Sequence, residues 1–208
     1  MDGQGLEFKV KRVFTAAALG LSLLLASGGA GFAQGRSKGQ AALEKGAYAE
    51  ALGELQTLAN QGNAEAQYAL GWMYEQGKGV TQDYKEAARL FGLAAAQGDA
   101  SAQYNLGVMY DKGRGVTQDY KEAARLFGLA AAQGNARVQV VLALMYSIGQ
   151  GVTQDYIYAL MWVNIAASSG HANAVKVRDI IVEGMTTEDI SKGQALAREC
   201  VQKNFKGC

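Results

Sequence analysis

Small and apolar residues recur along this chain at helical spacing, and twice they do so in identical context. Val80 to Gly98 reads VTQDYKEAARLFGLAAAQG, and Val116 to Gly134 repeats the same residues. Within the first copy Ala87, Leu90, Phe91, Ala94 and Ala95 fall on one face of a helix. A looser copy starts at Val152, which sets a period of 36. A fixed period of this size marks a stacked array whose units bury their apolar faces only against one another.

The period divides the chain into three full units, 64–99, 100–135 and 136–171. Units one and two agree at 29 of 36 positions, and units two and three at 16. Each unit holds two helix-length segments. The first ends at Gly77, Gly113 or Gly149 and is followed by a G-x-G-V turn. The second runs from Asp83, Asp119 or Asp155 to Gly98, Gly134 or Gly170. Gly62, Gly98, Gly134 and Gly170 sit where a left-handed closing residue is needed. Asn63, Asp99 and Asn135 follow them as side-chain caps for the next helix. Asp83 with Glu86, and Asp119 with Glu122, have capping-box spacing.

The flanks read as incomplete units. Segment 34–63 is a polar, glycine-rich lead followed by one main helix from Tyr48 to about Gln61, after a break at Gly46. Segment 172–208 begins like the first helix of a fourth unit. A second helix follows, opened by Thr186-x-x-Asp189 with Met185 and Ile190 spaced as a hydrophobic staple. It is expected to cap the last apolar face.

Composition narrows the function classes. The chain carries 20 Lys+Arg and 19 Asp+Glu with no basic run, which argues against nucleic acid as a partner. With no proline and 27 glycines, helices run unbroken and glycine punctuates them. At the N-terminus Lys9, Lys11 and Arg12 precede an apolar run, Val13 to Ala26, and the small-x-small sequence Gly31-Phe32-Ala33. Residues 1–33 therefore read as a secretory signal, with cleavage after Ala33. An uncleaved anchor is the competing reading. It is the weaker one, because about 14 residues at about 1.5 Å rise fall short of a hydrocarbon core of about 30 Å. The expected location is the bacterial periplasm or beyond, with no membrane span after cleavage.

Candidate chemistry is sparse. His171, the sole histidine, occupies the slot of Asn63, Asp99 and Asn135 and reads as a helix start; a zinc or acid–base site needs partners that the sequence does not supply. The G-x-G turns lack the Lys-Ser/Thr pair of a phosphate loop and the third glycine of a dinucleotide loop. No catalytic residue, cofactor or metal is expected. Cys200 and Cys208, an even pair in an exported chain, point to one disulfide closing the C-terminal tail. The helix must then end near Asn204 and the tail fold back; free thiols or a link to another chain remain open.

A-x-A-Q-Y-x-L-G-x-M-Y at Ala64–Tyr74 and Ala100–Tyr110, G-x-G-V-x-Q-D-Y at Gly77–Tyr84, Gly113–Tyr120 and Gly149–Tyr156, and the A-A-x-Q-G closures resemble the Sel-one-like repeat family, a relative of the tetratricopeptide repeats. The resemblance spans about Tyr48 to Gly170. It implies an all-α fold, an α/α superhelical solenoid, in a protein that acts as an adaptor or regulator. Leu90-Phe91 and Leu126-Phe127 depart from the tryptophan and aromatic often found there. Unit three has Val140 and Ala143 in place of Tyr and Gly, and its first helix is expected to stack less tightly.

Differences between the units locate a candidate binding face. Besides mild exchanges, units one and two differ at Glu65/Ser101, Ala69/Asn105, Trp72/Val108 and Gln76/Lys112, and unit three continues the series with Arg137, Val141, Leu144 and Ile148. These positions lie at i, i+4, i+7 and i+11, one stripe of a helix. The resemblance implies that first helices line the concave side, so the stripe is expected to face solvent and hold a protein or peptide, with Trp72 as an exposed anchor. Neutral drift on an exposed face explains the same differences without a partner.

Two further functions compete with a scaffold. Some cysteine-rich members of the family bind or hydrolyse β-lactams, but here no unit between Ala64 and His171 holds a cysteine and no Ser-x-x-Lys motif is present. A role in surface polysaccharide assembly has no direct support in charge or aromatic content. Nothing in the sequence sets the oligomeric state.

Overall fold

Each second helix starts because an aspartate holds its free amides. Asp83 Oδ1 accepts from the Lys85 and Glu86 backbone N–H groups at 2.9 and 3.0 Å, and Asp119 and Asp155 do the same one and two periods later. The reciprocal half of the expected capping box does not form. The Asp83 N–H is already bonded to the Tyr74 carbonyl at 3.0 Å, and the Glu86 carboxylate turns to Arg89 at 2.6 Å. First helices start similarly: Asn63, Asp99 and Asn135 side chains accept backbone amides. Gly62, Gly98, Gly134 and Gly170 precede these caps with φ between 82° and 92°, the left-handed turn that a Cβ would disfavour.

The computed structural model describes residues 38–208. The segment read as a signal peptide lies outside the described residues. Among the described residues the chain is entirely helical: α1 Lys38–Glu44, α2 Tyr48–Asn60, α3 Ala64–Gln76, α4 Tyr84–Ala96, α5 Ala100–Lys112, α6 Tyr120–Ala131, α7 Ala136–Ile148, α8 Tyr156–Ser168, α9 Ala172–Val182 and α10 Thr187–Gln202. Consecutive helices from α1 to α9 pack against one another in order, which makes the repeat solenoid. Helices α3, α5 and α7 are the first helices of the three units, and α4, α6 and α8 the second.

Close backbone approach explains the G-x-G turns. A Cβ on Gly115 would collide with the Tyr84 carbonyl at the start of α4, and one on Gly151 with the Tyr120 carbonyl at the start of α6. The second glycine of each turn therefore seats one unit on the one before. Within a unit, Gly71 and Gly107 receive the rings of Phe91 and Phe127; a Cβ there would stand 2.9 and 2.8 Å from ring carbons. Tyr68 and Tyr104 lie on the same rings at 5.7 and 5.8 Å between centroids.

Unit three does not stack loosely, contrary to the expectation from Val140 and Ala143. The Tyr–Gly–Phe set is exchanged as a whole for Val140, Ala143 and Val163, all buried. A smaller residue at 163 makes room for the Ala143 methyl group, so volume is conserved.

The last two helices do not pack as a pair. Helix α10 packs on α8 rather than against α9. Gly193 of α10 rests on Leu160 and the Ile157 carbonyl. In units one and two the matching positions are Lys85 and Ala88, and Lys121 and Ala124. Only the third second helix is apolar there, so α10 covers that face. After Gln202 the chain turns back through left-handed Asn204 and Phe205, φ 50° and 62°, and Cys200 pairs with Cys208. The tail turn matches the sequence expectation.

Candidate functional site

The stripe of differing residues starts at solvent and leans inward. Glu65, Gln76, Ser101, Lys112 and Arg137 are exposed; Trp72, Asn105, Val108, Val141 and Ile148 are half-buried. Ala69 and Leu144 are buried, at 6% and 1% exposure, which corrects the expectation of a solvent-facing stripe at these two positions. The cause is helix orientation. Ala69 packs with Ala51, Leu55 and Ala59 of α2, and Leu144 belongs to the apolar cluster around α6–α8. Mid-helix, the stripe touches the preceding unit.

Trp72 is corrected likewise. It is no exposed anchor: its ring lies 6.3 Å from that of Tyr48 on α2, and it packs on two neighbouring apolar clusters. Exchange of Trp72 for Val108 and Leu144 is therefore in part a change of packing between units.

Two exposed stripe residues, Glu65 and Ser101, meet in a cleft of about 510 Å³. Glu65 and Tyr68 of α3 form one wall, Ser101 of α5 the other, and Gln97 to Asp99 the base. Burial raises the pKa of Asp99, and the nearby Glu65 carboxylate adds to the rise, while bonds from the Ala102 and Ser101 amides oppose it. Burial also raises the pKa of the Tyr68 phenol, followed by the charge of Asp99; the Asn105 and Ser101 side chains act in the opposite sense. Glu65, Tyr68, Ser101 and Asn105 thus share one polar neighbourhood between two first helices. Comparison of the units selects residues that differ, so it passes over Tyr68 and its copy Tyr104, which do not.

At the far end of the array, burial lowers the pKa of His171 and the Arg137 charge lowers it further. His171 occupies the cap position of α9, but its side chain makes no capping bond and its buried Nδ1 has no partner. His171 is the helix start expected from the sequence, without the side-chain bond that Asn63 and Asn135 make. Among the described residues no group of His, Cys, Asp and Glu is placed to hold a metal ion.

A second cleft, of about 360 Å³, lies among α6, α7, α8 and the C-terminal tail. Lys121, Ala124 and Gly128 of α6 form its floor, and Trp162, Phe205 and Cys208 close it. The disulfide tail is one wall of this cleft.

The family model of the Sel1 repeat matches residues 64–99, 100–135 and 136–171, the three units described above. The chain belongs to the Sel1 repeat family. Solved structures agree. A Sel1 repeat protein from Oxalobacter formigenes superposes with a TM-score of 0.57 at 35% identity, over 62% of this chain and 96% of that one. A protective antigen of uropathogenic Escherichia coli with an SLR fold gives 0.56 at 26% identity, over 79% of this chain and 45% of that one. This Sel1 repeat chain therefore spans nearly all of the first and less than half of the second. No curated protein matches the sequence. Sel1 repeat proteins are generally protein-interaction scaffolds, and the fold is typically non-catalytic. Among the described residues no helix is long and apolar enough to cross a membrane.

Proposed function

We propose that this Sel1 repeat chain is a non-enzymatic scaffold of the bacterial cell envelope that holds a peptide segment of a protein partner across its first-helix face. The cleft between α3 and α5 carries this reading. It joins exposed residues that differ from unit to unit, Glu65 and Ser101, to the recurring Tyr68, a layout in which a constant platform bears variable contacts. An aromatic platform with a polar rim suits a peptide better than a small molecule. The proposed contacts are the exposed and half-buried stripe residues, with Asn105 at the centre; Ala69 and Leu144 act by placing them.

Export is supported by the basic and apolar pattern of residues 1–33 and by the Cys200–Cys208 bond, which persists in oxidising compartments. The Escherichia coli neighbour is a protective antigen, in keeping with a protein that reaches the envelope or the cell exterior.

Alanine at Trp72 or Leu144 would disturb packing and confuse the outcome, so the test uses photo-crosslinking side chains at two matched places. One is Asn105, on α5 beside Tyr68; the other is Arg125, on α6. Expected is a specific adduct from Asn105 in intact cells and none from Arg125, with the partner identified by mass spectrometry. An adduct from Arg125 alone would move the binding face to the second helices and refute the proposal.

A further inference from the structure

The second residue of each first helix changes charge along the array. It is Glu65 in unit one, Ser101 in unit two and Arg137 in unit three, all exposed. Among the described residues neither Glu65 nor Arg137 has an ion-pair partner. The second-helix face differs: Glu86–Arg89 and Glu122–Arg125 close on themselves at 2.6 and 2.7 Å, identically in units one and two. Each pair neutralises itself, and unit three has the uncharged Tyr158 and Met161 there. At this one position the order is negative, neutral, positive, with the half-buried Asp99 beside the neutral Ser101.

Half-buried groups beneath that face lie in different fields. Tyr68, at the unit-one end, lies in the field of Asp99 and Glu75, which raise its pKa after burial does. Tyr104 in the middle is pulled down by Arg137 and up by Glu75 and Asp111, after the burial that raises it most. At the unit-three end, Arg137 adds to burial in lowering the pKa of His171. Unpaired charges at the two ends of one surface attract a ligand with the complementary order and steer it into register.

We propose that the first-helix face takes an extended peptide segment with a basic residue at one end and an acidic residue at the other, the basic end on Glu65 and the acidic end on Arg137. This rests on the groove reading above and adds the charge order of the partner. Ser101 and Asn105 face the uncharged middle of the segment, with Tyr68 and Tyr104 as the platform beneath it.

Three labelled peptides of about twelve residues test it, each with a benzophenone at its centre. One has Lys-Lys and Glu-Glu at opposite ends, one has Lys-Lys at both ends, and one has Glu-Glu at both. Anisotropy titrations at low salt are expected to show the mixed peptide binding the chain tighter than either uniform one, on the order of fivefold for two exposed charge pairs. The Glu65→Arg variant should prefer the Glu-Glu peptide, and Arg137→Glu the Lys-Lys peptide. The double exchange E65R/R137E should restore preference for the mixed peptide, because it only reverses the direction of binding. Equal affinities with adducts on α5 would overturn the charge order and leave the groove standing. Adducts on α4 or α6, or no binding of any peptide, would overturn both. Sedimentation that shows a dimer broken by either single exchange and regained by the double would make a second copy the occupant, and would overturn the peptide proposal.

Discussion

Gln97 Nε2 donates to Gln67 Oε1 at 2.7 Å, and Gln67 Nε2 donates onward to the Ala59 carbonyl at 3.1 Å. Two side chains thirty residues apart thus tie the end of one unit, through a buried amide, to the end of the unit before. Gln133, Gln103 and Ala95 repeat the relay at 2.9 and 3.2 Å. Buried polar groups need this pairing, since an orphaned one costs about 1–3 kcal/mol.

The relay fails once. Gln139 donates to the Ala131 carbonyl at 3.0 Å, but Ser169 stands where Gln97 and Gln133 stand. Its hydroxyl bonds the Ala166 carbonyl instead, and Gln139 Oε1 is left without a partner. Ser169→Gln should stabilise the chain by about 1 kcal/mol, and Gln133→Ala should destabilise it by about 1–3 kcal/mol. Urea denaturation of both variants checks the pair of signs.

Glycines at equivalent depth in sequence have opposite roles. Gly115 has φ 71° and abuts the Tyr84 backbone, so Gly115→Ala should cost several kcal/mol or part the units, on the order of the largest single-residue effects. Gly92 lies inside α4, and a methyl group added there would meet nothing within 4 Å. Gly92→Ala should instead raise stability by about 0.5–1 kcal/mol through helix propensity. Thermal melts of the two variants separate stacking glycines from merely permissive ones.

Asp99 gives a pH test. Burial raises its carboxyl pKa in the folded chain above the unfolded value. Between those two values the folded state holds more protons, so stability falls as pH rises through that window, and the ionised side chain is a net cost at neutral pH. Asp99→Asn keeps the capping acceptor, as Asn63 and Asn135 show at the same slot. The variant should be more stable than the parent at pH 7 and lose that advantage below the ordinary carboxylate range. Melting temperatures across pH measure it.

Periodicity and capping chemistry made the array legible in the sequence. Aspartate and asparagine caps, left-handed glycines and the unit boundaries all depend on local backbone rules that one stretch of chain carries by itself. What was not legible depended on neighbours. Whether Leu144 or Ala69 faces water is set by the preceding helix, not by the stripe they share with Glu65. The glutamine relay left a trace, because Gln67, Gln103 and Gln139 recur with Gln97 and Gln133, but recurrence alone does not say which pairs meet. Helix α10 crossed onto α8 rather than α9 because the apolar surface there, Ile157 and Leu160, belongs to the third unit alone.

The C-terminal tail should respond to reduction on its own. The Phe205 N–H bonds the Cys200 carbonyl at 2.9 Å inside a loop with a sequence separation of 8 between the cysteines. Closing so short a loop is worth about 2–3 kcal/mol, and the tail is peripheral to the units. Cys208→Ser should therefore speed amide exchange at Phe205 and the end of α10 while the amides of α3 to α7 keep their protection.

Hydrogen–deuterium exchange with and without a captured partner is the most direct measurement of where the scaffold binds. Binding across the first-helix face predicts added protection in α3 and α5 near Glu65, Ser101 and Asn105, extending to the start of α7 at Arg137, with α4 and α6 unchanged. Protection confined to α4, α6 or the cleft beside Phe205 would contradict it.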